Sequence, residues 1–228
     1  MASKRYGVIG LGRFGYTVAT TLANAGAEVI AIDSDPNVIN DVSNIVSVAV
    51  CMDSVDRDGL LAHGVDKTDA SVVAIGQNFE ANVLTTSILK DIGVKKVIAR
   101  AGTDVQKRIL ELIGADQVIF PEDAIGVRVA QSLLSSRIVD ITSLFEGLSV
   151  AQVVAPKELV GRKIGQIKFR QKYKCNIVVI KRKTDQSDLS SEPRRFNVLP
   201  EPEDEIAMGD ILVVVGTEKD IEKLASSL

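Results

Sequence analysis

The sequence predicts an α/β chain, a parallel-sheet domain followed by a small α+β domain. Three observations predict it. Short β-branched runs alternate with helical stretches over about the first 120 residues. A glycine-rich turn, Gly10-Leu11-Gly12-Arg13-Phe14-Gly15, joins the first run to the first helical stretch. From about Ser143 the regular alternation stops and shorter, more polar elements follow. Apolar strands alternating with helices mean a parallel sheet covered on both faces.

In the first domain, strands are expected at Tyr6–Ile9, Glu28–Ile32, Ile45–Val50, Ser71–Ile75, Lys96–Arg100 and Gln117–Phe120. Helices are expected at Phe14–Ala25, Pro36–Ser43, Arg57–His63, Phe79–Ile92 and Asp104–Ile113. Gly26, Gly64, Gly93 and Gly114 stand just past helix ends, where a left-handed turn favours glycine. Ser34-Asp35-Pro36 reads as a helix start, a capping side chain before proline. After Pro121 a helix is expected over about Ile125–Ser135, with Ile125, Val129, Leu133 and Leu134 on one face. Two readings of that face stand: packing on the sheet, or a linker and dimer-contact helix leaving the first domain. The domains are then residues 1–135 and 136–228. The second is expected to hold strands at Leu148–Val154, Asn176–Ile180 and Ile211–Val215, helices at Lys163–Tyr173 and Glu218–Ser226, and a polar loop at Asp185–Pro193.

Composition narrows the function. The chain has 228 residues, 46% hydrophobic, enough for one large core or a medium core plus a small one. A formal charge of −3 argues against a general nucleic-acid binder, and 4% aromatic residues without Trp leave few platforms for stacked bases. No apolar run approaches the roughly 18–20 residues that span a bilayer. Met1–Arg5 leads straight into a strand, without the apolar core of a signal peptide. Cys51 and Cys175 fit no metal or redox spacing, so both are expected to be reduced thiols of a cytosolic protein.

The glycine turn fits G-x-G-x-x-G in its full context. A strand precedes it, a helix follows, and Asp33 ends the next strand, 21 residues beyond Gly12. This is a Rossmann-type phosphate loop. Gly10 permits the tight turn, Gly12 lets backbone approach phosphate oxygens, and Gly15 lets the helix pack close. Exposed N–H groups and the positive helix end receive the anion. Asp33 is placed to accept hydrogen bonds from ribose hydroxyls and to repel a 2′-phosphate, which disfavours NADP. Arg13, with Phe14 beside it, lies where a side chain reaches the phosphates. Its charge suits ATP or ADP better than the pyrophosphate of NAD. A solvated surface arginine is the alternative.

Ligands lie at the carboxyl ends of parallel strands. That adds Asp53 after the third strand, Gly76 and Asn78 after the fourth, and Arg100 at the end of the fifth. Asp53 is placed to meet adenine or its ribose. Plainer roles stand beside these: a helix cap for Asn78, a turn for Gly76, a surface ion pair for Arg100. Glu122 follows the sixth strand. A carboxylate near a triphosphate points to a cation bridge; an acid favoured by the helix dipole is the plainer account.

No catalytic set emerges. His63, the only histidine, sits near a helix end. No tyrosine has lysine four residues on, and no G-x-S-x-G turn occurs. A nucleotide fold without such a set points to a sensor. The alternatives are an NAD-binding oxidoreductase or redox sensor, which needs a hydride-transfer site, and a nucleotide-binding interaction module unrelated to transport.

Together these features resemble the RCK family, regulators of potassium conductance, and within it the Ktr/Trk cytosolic regulatory subunits. The resemblance rests on Val8–Gly15, Asp33, Leu84-Thr85-Thr86, Ile113-Gly114-Ala115-Asp116, Pro121-Glu122, Leu159-Val160-Gly161-Arg162 and Gly209–Gly216. It implies a Rossmann domain followed by a TrkA-C domain. It implies homodimers that form an octameric ring beneath a membrane-embedded potassium-translocating subunit, peripheral to the inner face of the membrane. It implies that ATP activates and ADP inactivates, with Arg13 answering to the terminal phosphate and Glu122 placing a sodium or divalent cation. The segment Lys183–Asn197 looks longer than usual for the family.

Residues 157–183 carry ten Lys or Arg and one acid, while Glu201, Glu203, Asp204 and Glu205 cluster later. The basic segment has no obvious acidic partner within its own stretch. Ile164, Arg170 and Asn176 resemble, in spacing, the cyclic di-AMP site of some Ktr C-terminal domains, with Gly165 replacing a second apolar residue. A solvated helix arginine and a turn asparagine are the plainer account.

Overall fold

The computed structural model describes residues 4–134, 137–182 and 196–227. The polar loop expected at Asp185–Pro193, and most of Lys183–Asn197, lie outside the described residues. The chain divides into two compact units, Met1–Asp123 and Ala124–Leu228. The division falls within the first turn of the helix after Pro121, rather than at its far end.

The first unit alternates β1 (Arg5–Ile9), α1 (Arg13–Asn24), β2 (Glu28–Asp33), α2 (Pro36–Val42), β3 (Val48–Cys51), α3 (Arg57–Ala62) and β4 (Ala70–Val73). It continues with α4 (Phe79–Asp91), β5 (Val97–Arg100), α5 (Asp104–Leu112) and β6 (Gln117–Ile119), and α6 (Pro121–Leu134) begins in it. All six strands are parallel, in the order β3-β2-β1-β4-β5-β6. Alternate residues of each strand face opposite layers. Val8, Val29 and Ala31 pack with Leu11, Ala19 and Val42. Ile9, Ile30 and Ile32 pack with Leu60, Leu89 and Val97. Burying each such Leu, Ile or Val side chain contributes roughly 1.5–3 kcal/mol. The strand order reverses between β1 and β4, and the crevice at such a reversal is where α/β sheets take ligands.

The second unit holds β7 (Ile138–Phe145), β8 (Leu148–Val154), α7 (Ile164–Ile167), α8 (Phe169–Tyr173), β9 (Asn176–Lys181), β10 (Phe196–Asn197), β11 (Ile211–Gly216) and α9 (Glu218–Ala225). Its five strands form an antiparallel sheet in the order β10-β9-β11-β8-β7. Leu159, Phe169, Tyr173, Ile180, Leu212, Val214, Ile221 and Leu224 form its core.

Three sequence expectations are corrected here. Strand β7 was not anticipated: its register shifts between Ile138 and Asp140 and again near its end, which breaks the two-residue periodicity that betrays a strand. The helix expected over Lys163–Tyr173 is broken at Lys168, whose φ of 51° is left-handed. The basic segment does meet acid: Lys172 pairs with Glu158 of its own stretch at 3.0 Å, and Arg182 with Asp210 at 2.6 Å. Main-chain bonds also join its start to the later acidic run, Gly161 N–H to the Ile206 carbonyl at 2.8 Å, Ile164 N–H to the Asp204 carbonyl at 3.0 Å and Gly165 N–H to the Pro202 carbonyl at 2.8 Å. The acidic run therefore lies alongside the start of the basic one.

Three of the apolar side chains expected on one face of α6 are exposed. Ile125 is 57% exposed, Leu133 81% and Leu134 86%. Among the described residues no helix is long and apolar enough to cross a membrane.

Candidate nucleotide cleft

The carboxyl ends of β1 to β5 enclose a cleft of about 750 Å³. Its floor is the β1–α1 turn. Gly10 turns with φ +86°, a conformation L side chains rarely adopt, and its N–H donates to the Ile32 carbonyl at 2.8 Å. A Cβ on Gly15 would lie 1.9 Å from the Gly10 carbonyl oxygen, so only glycine lets α1 close onto the turn. These two glycines are required by the chain's own packing. Gly12 is not: its φ is −58°, and a Cβ there would meet nothing within 4 Å. Gly12 is also the N-cap of α1 and bonds none of its first-turn amides through a side chain. The neighbouring helices are capped, by Asp35 on α2, Asp56 on α3, Asn78 on α4 and Thr103 on α5. Among α1 to α5, only the helix that the glycine turn opens has no side-chain cap.

Asp33, at the end of β2, braces that turn. One carboxylate oxygen accepts from Leu11 N–H at 2.5 Å and the other from Asp35 N–H at 2.9 Å. Asp35 and Asp53 line the same side of the cleft, the first capping α2 and the second accepting from Val55 N–H at 3.1 Å. Arg13, exposed at the start of α1, and Arg100, at the end of β5, supply the cations. From the strand order, the acids stand on the β2–β3 side and the arginines at β1 and β5. An anion is therefore favoured toward β1 and β5, and groups that donate hydrogen bonds toward β2 and β3.

Gly76 and Asn78 also line the cleft, Asn78 as the cap of α4. A Cβ on Gly76 would lie 2.4 Å from an Arg100 guanidinium nitrogen. Arg100 donates to Glu122 on the first turn of α6, and the two form an ion pair. Glu122 does not line the cleft itself, and neither do Phe14 or Gly15. Among the described residues no group of three or more His, Cys, Asp or Glu is placed to hold a metal. His63 caps the end of α3, its Nδ1 2.8 Å from the Gly59 carbonyl.

Sequence reading missed Ser34, Val38, Met52, Ser54, Gln77 and Ala81, which also line the cleft. It also missed Asn82, which is 1% exposed. Its amide donates to the Ile75 carbonyl at 2.7 Å and the Arg100 carbonyl at 2.9 Å, clamping the ends of β4 and β5. The Leu84-Thr85-Thr86 motif acts in the same region, since Thr85 donates to Ser54 Oγ at 2.9 Å.

In the second unit Ile164 packs against the core, while Arg170 on α8 and Asn176 at the start of β9 are exposed. Gly165 has a local reason: a Cβ would lie 3.1 Å from Pro202 Cβ and 3.2 Å from its carbonyl oxygen. A separate groove of about 470 Å³ beside α9 is lined by Leu134, Ile138, Ile141, Glu218 and Lys219, among others, and includes none of the three.

Comparison with known proteins places the chain. The TrkA-N domain family matches residues 6–121, and the TrkA-C domain family matches residues 148–228. Ktr system potassium uptake protein C of Bacillus subtilis (strain 168) is 36% identical over 220 residues, covering 96% of this chain and 95% of its own. The chain belongs to the Ktr family. A second Ktr-family relative, Ktr system potassium uptake protein A of Vibrio alginolyticus, is 30% identical over 225 residues, 99% of this chain and 96% of its own. Among solved structures, the GsuK channel matches 98% of this chain with a TM-score of 0.52 at 23% identity, a likeness of fold alone. The Ktr-family chain spans 38% of that channel's length.

Proposed function

We propose that this Ktr-family chain is the cytosolic, nucleotide-sensing regulatory subunit of a membrane-embedded potassium-translocating protein. ATP bound at the Gly10–Gly15 turn activates the system, and ADP leaves it inactive. The observation that carries the reading is Gly12. It is a glycine that the chain's own packing does not need, at the one helix start among α1 to α5 without a side-chain cap, lining the cleft. A phosphate there is met by backbone N–H groups and by the positive end of α1.

The other residues divide the ligand between them. Asp33, Asp35 and Asp53 form the side that takes hydroxyls and an amino group, which suits adenosine. Arg13 and Arg100 form the side that takes phosphates, with Gly76 and Asn78 between. Arg13 rewards a third phosphate more than a second. Glu122 offers a single carboxylate for a sodium or divalent cation and already holds Arg100.

The exposed apolar face of α6 supports a homodimer contact, and isologous dimers can close into an octameric ring. In the second domain, Ile164, Arg170 and Asn176 form an inhibitory cyclic di-AMP site, one molecule per pair of domains. Gly165 leaves that site without a second apolar wall, so binding there is weak.

Ligand choice tests the first site. Calorimetry with ATP, ADP and NAD should give tighter binding of both ATP and ADP than of NAD. Binding of NAD tenfold tighter than ADP, about 1.4 kcal/mol, would overturn it. Co-purification with a potassium-translocating membrane protein tests the partner, and light scattering that finds only monomer would remove the ring. For the second site, equal cyclic di-AMP binding by wild type and Arg170→Ala would remove it.

A further inference from the structure

The buried stripe of α4 is polar where a helix packed on a sheet is ordinarily apolar. It consists of Asn82, Thr85, Thr86 and Leu89, at the i, i+3, i+4, i+7 spacing of one helix face. Asn82 is 1% exposed and both threonines 0%. Buried amides and hydroxyls oppose folding unless each finds a hydrogen bond, so three in one stripe call for a reason. Their partners supply it. Thr86 Oγ1 donates to Asn82 Oδ1 at 3.4 Å, which turns the amide nitrogen of Asn82 toward the strand ends. That nitrogen donates to the Ile75 and Arg100 carbonyls, and both of these residues line the cleft with Gly76 between α4 and the end of β4. One turn further on, Thr85 donates to Ser54, which lines the cleft beside Asp53 in the loop after β3. In the strand order β3 lies on one side of β1, and β4 and β5 lie on the other. The helix therefore bonds both rims of the cleft from residues about 4.5 Å apart along its axis.

We propose that α4 is a two-point brace for the nucleotide. Thr85 is a positioning residue for the adenosine rim, Asp53 and Ser54. Asn82 is a positioning residue for the phosphate rim, Gly76 and Arg100, with Thr86 orienting its amide. Neither Thr85 nor Asn82 lines the cleft, so each acts through the groups it holds and not by touching the ligand. A brace of this kind fixes the separation of the two rims before the ligand arrives, which lowers the ordering cost of binding. The inference rests on the adenine-nucleotide reading of the cleft. It also divides the Leu84-Thr85-Thr86 motif by role, since Leu84 is 45% exposed and takes no part in the buried stripe.

The test is calorimetry on the full chain with AMP and with ADP, which share adenosine and differ by a phosphate, on variants that thermal unfolding shows to be folded. Thr85→Val keeps the shape and removes the hydroxyl. It should weaken AMP and ADP by the same factor, about three- to tenfold, the worth of a single hydrogen bond. Thr85→Ser keeps the hydroxyl and should bind both as the wild type does. Asn82→Ser keeps a small polar group that cannot reach both carbonyls. It should weaken ADP about threefold more than AMP, because the rim it releases meets the added phosphate. A role in the fold alone would lower the unfolding temperature and leave the ratio of the two affinities where it was. Wild-type binding by Thr85→Val, or equal losses in Thr85→Val and Thr85→Ser, would overturn the brace. Equal losses of AMP and ADP in Asn82→Ser would overturn its phosphate half. The Thr85 variants decide the proposal by themselves where Asn82→Ser does not fold. If the wild type binds neither nucleotide, it is the adenine-nucleotide reading that fails.

Discussion

The cleft of the first unit and the α7–β9 segment of the second place their candidate ligand groups by different means. In the cleft the decisive groups are backbone. Gly10 and Gly15 hold the turn because no other residue fits there, and Asp33 fastens the turn to β2 through Leu11 N–H. In the second unit the candidate groups are side chains on α7, α8 and β9, with Lys168 and Lys174 left-handed at the ends of α8. A backbone site tolerates almost no substitution at its glycines. A side-chain site tolerates change in its frame and is lost only when a contacting group is removed.

The same change made in both units should separate them most. Gly15→Ala puts a Cβ 1.9 Å from a backbone oxygen, which cannot yield without opening the turn. We expect a loss of about 3 kcal/mol by denaturant unfolding, with nucleotide binding abolished. Gly165→Ala meets Pro202 at 3.1 Å, a contact that a shift of a few tenths of an ångström relieves. The expected cost is about 1 kcal/mol, with nucleotide binding in the first unit unchanged. Equal costs would erase the contrast.

Asp116 sharpens the comparison through pH. Its carboxylate accepts from Val97 N–H at 2.6 Å and from Lys90 Nζ at 2.9 Å, and these bonds, the backbone one foremost, hold its pKa below the ordinary aspartate value. A lowered folded-state pKa means the ionised form stabilises the fold. That contribution is complete above the unfolded value of about 4 and is lost as pH falls through the lower folded value. The side chain is 37% exposed, so Asp116→Asn should cost no more than about 1 kcal/mol near pH 7. The difference should shrink below about pH 4. A gap independent of pH would show that the hydrogen bonds, not the charge, matter.

The smallest effect is expected at Lys168→Gly. Relief of a left-handed backbone contributes about 1 kcal/mol, offset by the greater freedom of glycine in the unfolded chain, about 0.4–1 kcal/mol. Thermal unfolding should move upward slightly or not at all. A clear loss of stability would mean that the lysine side chain is itself part of the frame.

The contrast also explains what the sequence made legible. Parallel strands buried on both faces announce themselves as Val and Ile runs, and a turn that only glycine can make announces itself as a motif. Residues at strand ends follow from topology once the strand order is known, which is why Asp53, Asn78 and Arg100 were foreseeable. Asn82 was not: a buried amide mid-helix looks like any exposed polar residue until its two carbonyl partners are seen. In the second unit, β7 was hidden by its register shifts. The pairing of residues 161–165 with 202–206 was hidden because it joins segments far apart in sequence. The break at Lys168 carried no glycine or proline to mark it.

Potassium flux into vesicles that hold the membrane partner and this chain tests the central claim most directly, with ATP or ADP as the only variable. The account predicts faster flux with ATP than with ADP for the wild type. It predicts no difference for Asp33→Ala, which loses both the proposed ribose acceptor and the brace on Leu11. Equal flux with the two nucleotides in the wild type, or an undiminished ATP response in Asp33→Ala, would contradict it.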